Sequence, residues 1–225
     1  MVKLGIVGNS TRNDDICDIA LQEFEEGNRV LICNTEEIHG HILQDLLSKK
    51  WLAKKQYEIS HFNETKVLEI IEDLELEDSI NLDNTLEDIR NQALVALEKD
   101  FNPEYIFGRE NREKKKEMIA EASYGSAPCI VIGTNAVGIG TDTRNINVVL
   151  LADVRKSSIR VLQSIGRGGR IKTYINELNN NVFKVYNWED WFHPKLMEHS
   201  YKREKVYKKY FLGQDSVTED KWKKL

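Results

Sequence analysis

The sequence is poor in the residues that would give it a redox scaffold, a metal or a membrane. Its three cysteines, Cys17, Cys33 and Cys129, are odd in number and form no C-x-x-C pair. That argues against both a disulfide framework and a zinc site, and fits a reducing compartment. No stretch reaches the roughly 18 apolar residues of a membrane span, and no apolar run behind basic residues opens the chain, so the expectation is a cytoplasmic protein without membrane contact. Positive charge is not in excess either. With 32 Lys and Arg against 37 Asp and Glu, the net charge is -5. No global basic field draws the chain to nucleic acid, and any such contact falls to a local patch. Also missing are G-x-x-x-x-G-K-[ST] and an Asp-Glu-x-x magnesium motif. A phosphoryl-transfer site needs the phosphate cradle, its lysine and the magnesium carboxylate.

What is present is 225 residues with 31% charged and 40% hydrophobic side chains, enough for one large α/β domain or two small ones and for a real core. After the short apolar run from Val2 to Gly8, Asn9-Ser-Thr-Arg12 offers an N-cap. Ile16, Ile19, Ala20 and Phe24 then follow at helical spacing, predicting a helix that ends at Gly27. Arg29 to Cys33 reads as a buried parallel-type strand, and Asn34 to His41 turns into a helix running to about Lys50. His39 and His41, two apart at a helix start, face different directions and are expected to be solvent-exposed or capping rather than ligands. Residues 64–100 read as two helices around an acidic loop. Pro103 to Gly108 is a strand, Arg109 to Tyr124 a charged helix, and Cys129 to Gly133 the most apolar strand. Further strands are expected at Asn145 to Val149 and Val182 to Asn187, before a C-terminal helical tail over 193–225 with a basic run from Lys202 to Lys209. Trp188, Trp191 and Phe192 are expected to pack in the core or an interface rather than stack on bases. Alternating strands and helices predict a three-layer α/β domain, with a mainly parallel sheet of about six strands and helices on both faces.

Two stretches carry chemistry. In Val161 to Arg170, Gln163, Arg167 and Arg170 lie along one short segment with glycines between the cations. Arginines three apart on a helix share a face, and their planar forks suit a polyphosphate. Downstream of the Cys129–Gly133 strand, Gly138 and Gly140 lack the third glycine and the helix start of a dinucleotide fingerprint. Thr134, however, stands at a strand end where its hydroxyl can reach a phosphate without reading sequence, and Asp142 is a short acceptor for a ribose hydroxyl or an arginine.

Gln163, Gly166, Arg167, Gly169 and Arg170 satisfy Q-x-x-G-R-x-G-R, the sixth motif of superfamily 2 helicases. Gly133, Thr134, Gly140 and Asp142 fit the fifth motif, A-T-x-x-x-x-x-G-I-D, without a gap, although Thr141 stands where an apolar residue is usual. Together with Ala122-Ser-Tyr-Gly125 and Lys156-Ser-Ser-Ile-Arg160, these resemble phage-type DNA helicases of the UvsW-like group from about Arg29 to Gly169. The resemblance implies a RecA-like three-layer sandwich forming the second motor domain over 1–225, with 64–100 as a helical acidic insertion. It implies Arg170 as an arginine finger, Arg167 as a second γ-phosphate contact, Gln163 orienting them, and Gly140 and Asp142 at the nucleotide. Thr134, Asn34, Thr35 and Arg112 are the implied contacts to the nucleic-acid backbone. The implied cofactors are ATP and Mg2+, both held mainly by an N-terminal RecA-like domain that is not in this chain. The implied partners are that domain and single-stranded or branched DNA, in a host cytoplasm if the chain is phage-encoded. With no phosphate loop of its own, the chain is expected to be inactive alone, as part of a longer helicase or as a separately encoded partner. The alternative is a non-catalytic RecA-like module that binds nucleic acid or protein.

Overall fold

The computed structural model describes residues 6–73, 80, 85–100, 104–106, 117, 120, 127–133, 146–152, 183–189 and 193–210. Helix α1, Ser10–Glu25, starts at Asn9, whose extended backbone lets Oδ1 accept the Arg12 N–H at 3.0 Å. It is terminated at Gly27, where φ is 79°, a left-handed conformation that glycine adopts at little cost. Strand β1, Arg29–Cys33, follows directly. Both elements match the reading from sequence. At the end of the apolar run before them, Ile6 and Val7 lie in a helical turn whose Ile6 carbonyl accepts the Asn9 N–H at 3.2 Å.

Helix α2, Glu37–His61, runs about three turns beyond the expected end at Lys50. No glycine or proline interrupts it there. The buried stripe of Leu43 and Leu47 continues through Trp51 to Ile59, and the helix stops only where Phe62 turns extended. Helices α3, Glu64–Asp73, and α4, Leu86–Asp100, come from the acidic segment. Their apolar residues Val67, Ile70, Ile71, Ile89 and Ala93 join the core formed by α1 and α2. The acidic segment is therefore packed on the domain by the ordinary amphipathic rule, apolar stripe inward and charge outward.

Strands β2, Glu104–Ile106, β3, Cys129–Gly133, β4, Val148–Leu151, and β5, Lys184–Asn187, complete a sheet of order β2-β3-β1-β4-β5. Every pairing is parallel. Among the described residues the sheet has five strands rather than the six expected. Side chains alternate across it: Val30, Ile32, Ile130, Ile132, Val148 and Leu150 enter the α1–α2 core, while Leu31, Val131, Val149 and Leu151 point the other way and are buried as well. A sheet buried on both faces is the centre of a three-layer α/β sandwich. The C-terminal helix α5, Pro194–Tyr210, closes the described chain.

A polar network closes the amino-terminal edge. Glu23, 1% exposed, accepts hydrogen bonds from Asn28 Nδ2 at 2.6 Å, from Lys184 Nζ at 2.8 and 2.9 Å, and from the Tyr186 hydroxyl. Asn147 accepts the Arg29 N–H at 2.7 Å and reaches Asn28 with its amide. This network ties α1 to β1, β4 and β5.

Candidate functional site

In a parallel sheet, ligands meet the carboxyl ends of the strands, where loops diverge and backbone donors open outward. Here β1 and β3 run in register to Cys33 opposite Gly133, and one residue further the Asn34 N–H donates to the Gly133 carbonyl at 3.0 Å. The carboxyl ends of these two strands, with Asn34 and Thr35 following β1, are therefore brought side by side at one edge. The Asn34 side chain is fully buried and donates from Nδ2 to the Glu36 carbonyl at 2.9 Å, shaping the turn into α2. Thr35 remains half-buried beside it.

Along the same edge a second cluster gathers at the ends of β4 and β5. Arg12, only 5% exposed, donates from Nη1 to the carbonyl of Ala152, the residue after β4, at 2.8 Å. Its guanidinium also lies 5.6 Å from the ring centre of Trp188, the residue after β5. Trp188 is packed against the core, as expected from sequence. Arg203 of α5, 1% exposed, donates to Asn187 Oδ1 and to the Trp188 carbonyl, both at 2.8 Å, and to Ser200 Oγ at 3.1 Å. Two buried arginines thus fasten α1 and α5 to the carboxyl edge.

His39 corrects the sequence reading: it is 2% exposed, neither solvated nor capping. Its Nε2 lies 2.9 Å from Asn13 Oδ1, and Asn13 Nδ2 donates to the Val7 carbonyl at 3.0 Å. The second bond fixes the Asn13 amide, so Oδ1 must accept and His39 carries its proton on Nε2. The expectation missed this because the inward direction of His39 is set by α1 crossing α2. His41, two residues on, is exposed. Burial, reinforced by the Arg12 charge, lowers the His39 pKa from 6.5 to about 4. Above pH 6.5 the ring is neutral folded and unfolded, and no stability depends on it. Between 6.5 and 4 only the unfolded chain takes the proton, so stability falls with pH, by about 3 kcal/mol in all. Urea titrations at stepped pH should show this decline in the unaltered chain and a shallower one in His39→Gln.

The Cys17 thiol is buried beside the Leu43 carbonyl, and burial pushes its pKa up to about 12, leaving an inert core group. Among the described residues no three or more His, Cys, Asp or Glu converge to hold a metal ion. Of the residues singled out in the sequence, Asn34 and Thr35 are placed. Thr134, Gly140, Asp142, Gln163, Arg167, Arg170 and Arg112 lie outside the described residues. Arg12, Asn13, His39 and Arg203 are additions. Their one signal in the sequence is polar side chains standing on the buried faces of their helices.

Residues 65–172 match the model of the helicase conserved C-terminal domain. No curated protein sequence matches the chain. Among solved structures, T4 UvsW shares 15% identity over 91% of this chain, with a TM-score of 0.52. This chain covers 33% of the T4 UvsW chain. The Mycobacterium smegmatis helicase Lhr, solved with single-stranded DNA and AMP-PNP, shares 12% identity over 77% of this chain and 16% of its own, with a TM-score of 0.47. The C-terminal domain of the DEAD-box protein Dbp5 shares 12% identity over 89% of this chain and 81% of its own, also with a TM-score of 0.47. Residues 65–172 are thus similar to the helicase conserved C-terminal domain, and the chain shares the RecA-like α/β fold of T4 UvsW.

Proposed function

We propose that the chain is the arginine-bearing half of an ATP-dependent DNA motor that unwinds or remodels branched DNA. The observation that supports this reading is the carboxyl edge, where the ends of β1 and β3 lie together, Asn34 N–H on the Gly133 carbonyl. In the superfamily the segments after these ends hold the fourth and fifth motifs. Thr134, Thr35 and Arg112 contact the phosphates of a tracking strand without reading its sequence, while Asn34, fully buried and bonded to the Glu36 carbonyl, shapes the turn that presents Thr35 rather than touching the strand as expected. Gly140 and Asp142 approach the nucleotide, with Asp142 accepting a ribose hydroxyl or a motif arginine. Arg170 and Arg167 direct their guanidiniums at the γ-phosphate, and Gln163 orients them. ATP with Mg2+, held mainly by a phosphate-loop domain outside this chain, supplies the phosphoryl group and the free energy when bound. Closing of this chain's arginines onto that domain, and their release after hydrolysis, converts nucleotide state into a step along DNA.

Hydrolysis by the 225-residue chain alone should stay at background with and without single-stranded DNA. Robust DNA-stimulated turnover would overturn the half-site reading. The absence of a phosphate loop from the sequence also favours a second reading, a non-catalytic module that binds nucleic acid or protein. In that case the complete protein would tolerate loss of Arg170.

A further inference from the structure

The net charge of -5 is unevenly spread. Within α5, Lys195, Lys202, Arg203, Lys205, Lys208 and Lys209 stand against only Glu198 and Glu204. The helix divides cleanly between an inner and an outer face. Leu196, Ser200 and Arg203 recur at i, i+4 and i+7 and are all buried, so one stripe faces the domain. Lys195, Met197, Glu198, Tyr201, Lys202 and Lys205 are exposed, with Tyr201 at 57% and Met197 at 41%. A helix face that merely solvates a domain mixes its charge signs. Outside α5 the exposed lysines among the described residues follow that rule, each held by a carboxylate: Lys49 by Asp45, Lys54 by Glu25 and Lys66 by Glu69. The outer face of α5 has one described carboxylate in contact with a lysine, Glu198 on Lys202. Lys205 Nζ sits 4.4 Å from the ring centre of Tyr201. That cation–π contact positions the ammonium without neutralising it.

We propose that the outer face of α5, led by Lys195 and Lys205, with Tyr201 holding the second of these and Lys202 exchanging Glu198 for a phosphate, docks the phosphate backbone of a single-stranded nucleic acid. This contact lies outside the helicase motifs and rests on the nucleic-acid half of the proposed function. Charge complementarity selects the occupant: a polyanion meets a cationic strip on an otherwise acidic chain, and an isolated apolar partner would leave those ammoniums desolvated. Placement agrees. Arg203 pins α5 to Asn187 and to the Trp188 carbonyl, at the carboxyl end of β5. In the order β1-β4-β5 this is two strand spacings, about 10 Å, from the end of β1 where Thr35 lies. A strand crossing the motif edge can thus continue onto the helix. Because lysines meet phosphates as point charges, the contact is indifferent to base sequence.

The test is fluorescence anisotropy of a labelled oligothymidylate titrated with the full chain across a series of salt concentrations. A Lys195→Gln, Lys202→Gln, Lys205→Gln variant should raise Kd on the order of tenfold. It should also flatten the log–log salt slope by about 2, since each lost single-strand phosphate contact removes roughly 0.7. Lys49→Gln, Lys54→Gln, Lys66→Gln changes net charge equally and should leave slope and Kd close to the unaltered chain. Thermal unfolding should be shared by all three proteins, because the lysines are at the surface. An α5 variant that binds like the unaltered chain overturns the strip and leaves the motif reading standing, as does a control variant equally weakened. An unaltered chain that binds no oligonucleotide overturns the strip together with the nucleic-acid half of the proposed function.

Discussion

On the proposed function, Arg170→Ala in the complete protein should lower DNA-stimulated ATP turnover by about 10³ to 10⁵, the usual contribution of an arginine finger. The loss should fall on kcat, with KM for ATP nearly unchanged, because the guanidinium is asked to meet charge that develops on the transferred phosphoryl group. Arg170→Lys should recover little. It restores a positive charge but not the planar fork that spans two phosphate oxygens. Arg167→Ala, as the second γ-phosphate contact, should raise KM as well as lower kcat. The readout is steady-state hydrolysis at saturating single-stranded DNA, with circular dichroism showing that the domain stays folded. Turnover within a few-fold of the unaltered enzyme would remove Arg170 from the site and favour the non-catalytic module.

The largest effect on stability is expected from Glu23→Ala. This carboxylate is buried under the amino-terminal edge, with Lys184, Asn28 and Tyr186 all donating to it. Deleting it removes the acceptor those three donors share, a loss on the order of 3 to 5 kcal/mol when a buried pair is broken from one side, moderated at Lys184 by its second bond to Glu26 at 3.1 Å. Lys184→Ala should be milder, because the lysine side chain is 30% exposed and water can replace part of its role. By contrast Lys50, which bridges Asp14 and Asp18 at 3.0 and 2.8 Å on the surface, should cost no more than about 1 kcal/mol when truncated. Urea unfolding decides the order. A fall in the midpoint at constant slope is expected for Glu23→Ala, and a midpoint close to that of the Lys50 variant would show that the network contributes little.

The strands were legible where apolar residues run unbroken between polar turns, so β1 and β3 agree with their expected bounds residue for residue. Ends set by packing were not. Nothing local distinguishes Lys50 from His61 as the last residue of α2, and the helix continues because Trp51 and Ile59 find the core. His39 shows the same limit for a site. Two histidines beside a helix start look alike in sequence, and only the crossing of α1 buries one against Asn13. Sequence spacing marked Asn34 and Thr35 beside the fifth-motif strand only through family resemblance. The sheet supplies the physical reason, since strands 100 residues apart in the chain, Arg29 opposite Cys129, end in register. The arginine motif carries its meaning in residue type and spacing alone.

That register has a consequence for how the chain comes to be folded. The central strand β1 is made early, yet both of its neighbours, β3 and β4, arrive about a hundred residues later. At synthesis rates of roughly 5 to 20 residues per second, β1 waits about 5 to 20 s with both edges unsatisfied. During that time its cover comes from the helices made before β3, α1 to α4, whose apolar residues share its core, and long-range pairing of this kind is intrinsically slow. Helix α1, which packs directly on β1, thus does a second job before the sheet exists, shielding an apolar strand from pairing with the wrong chain.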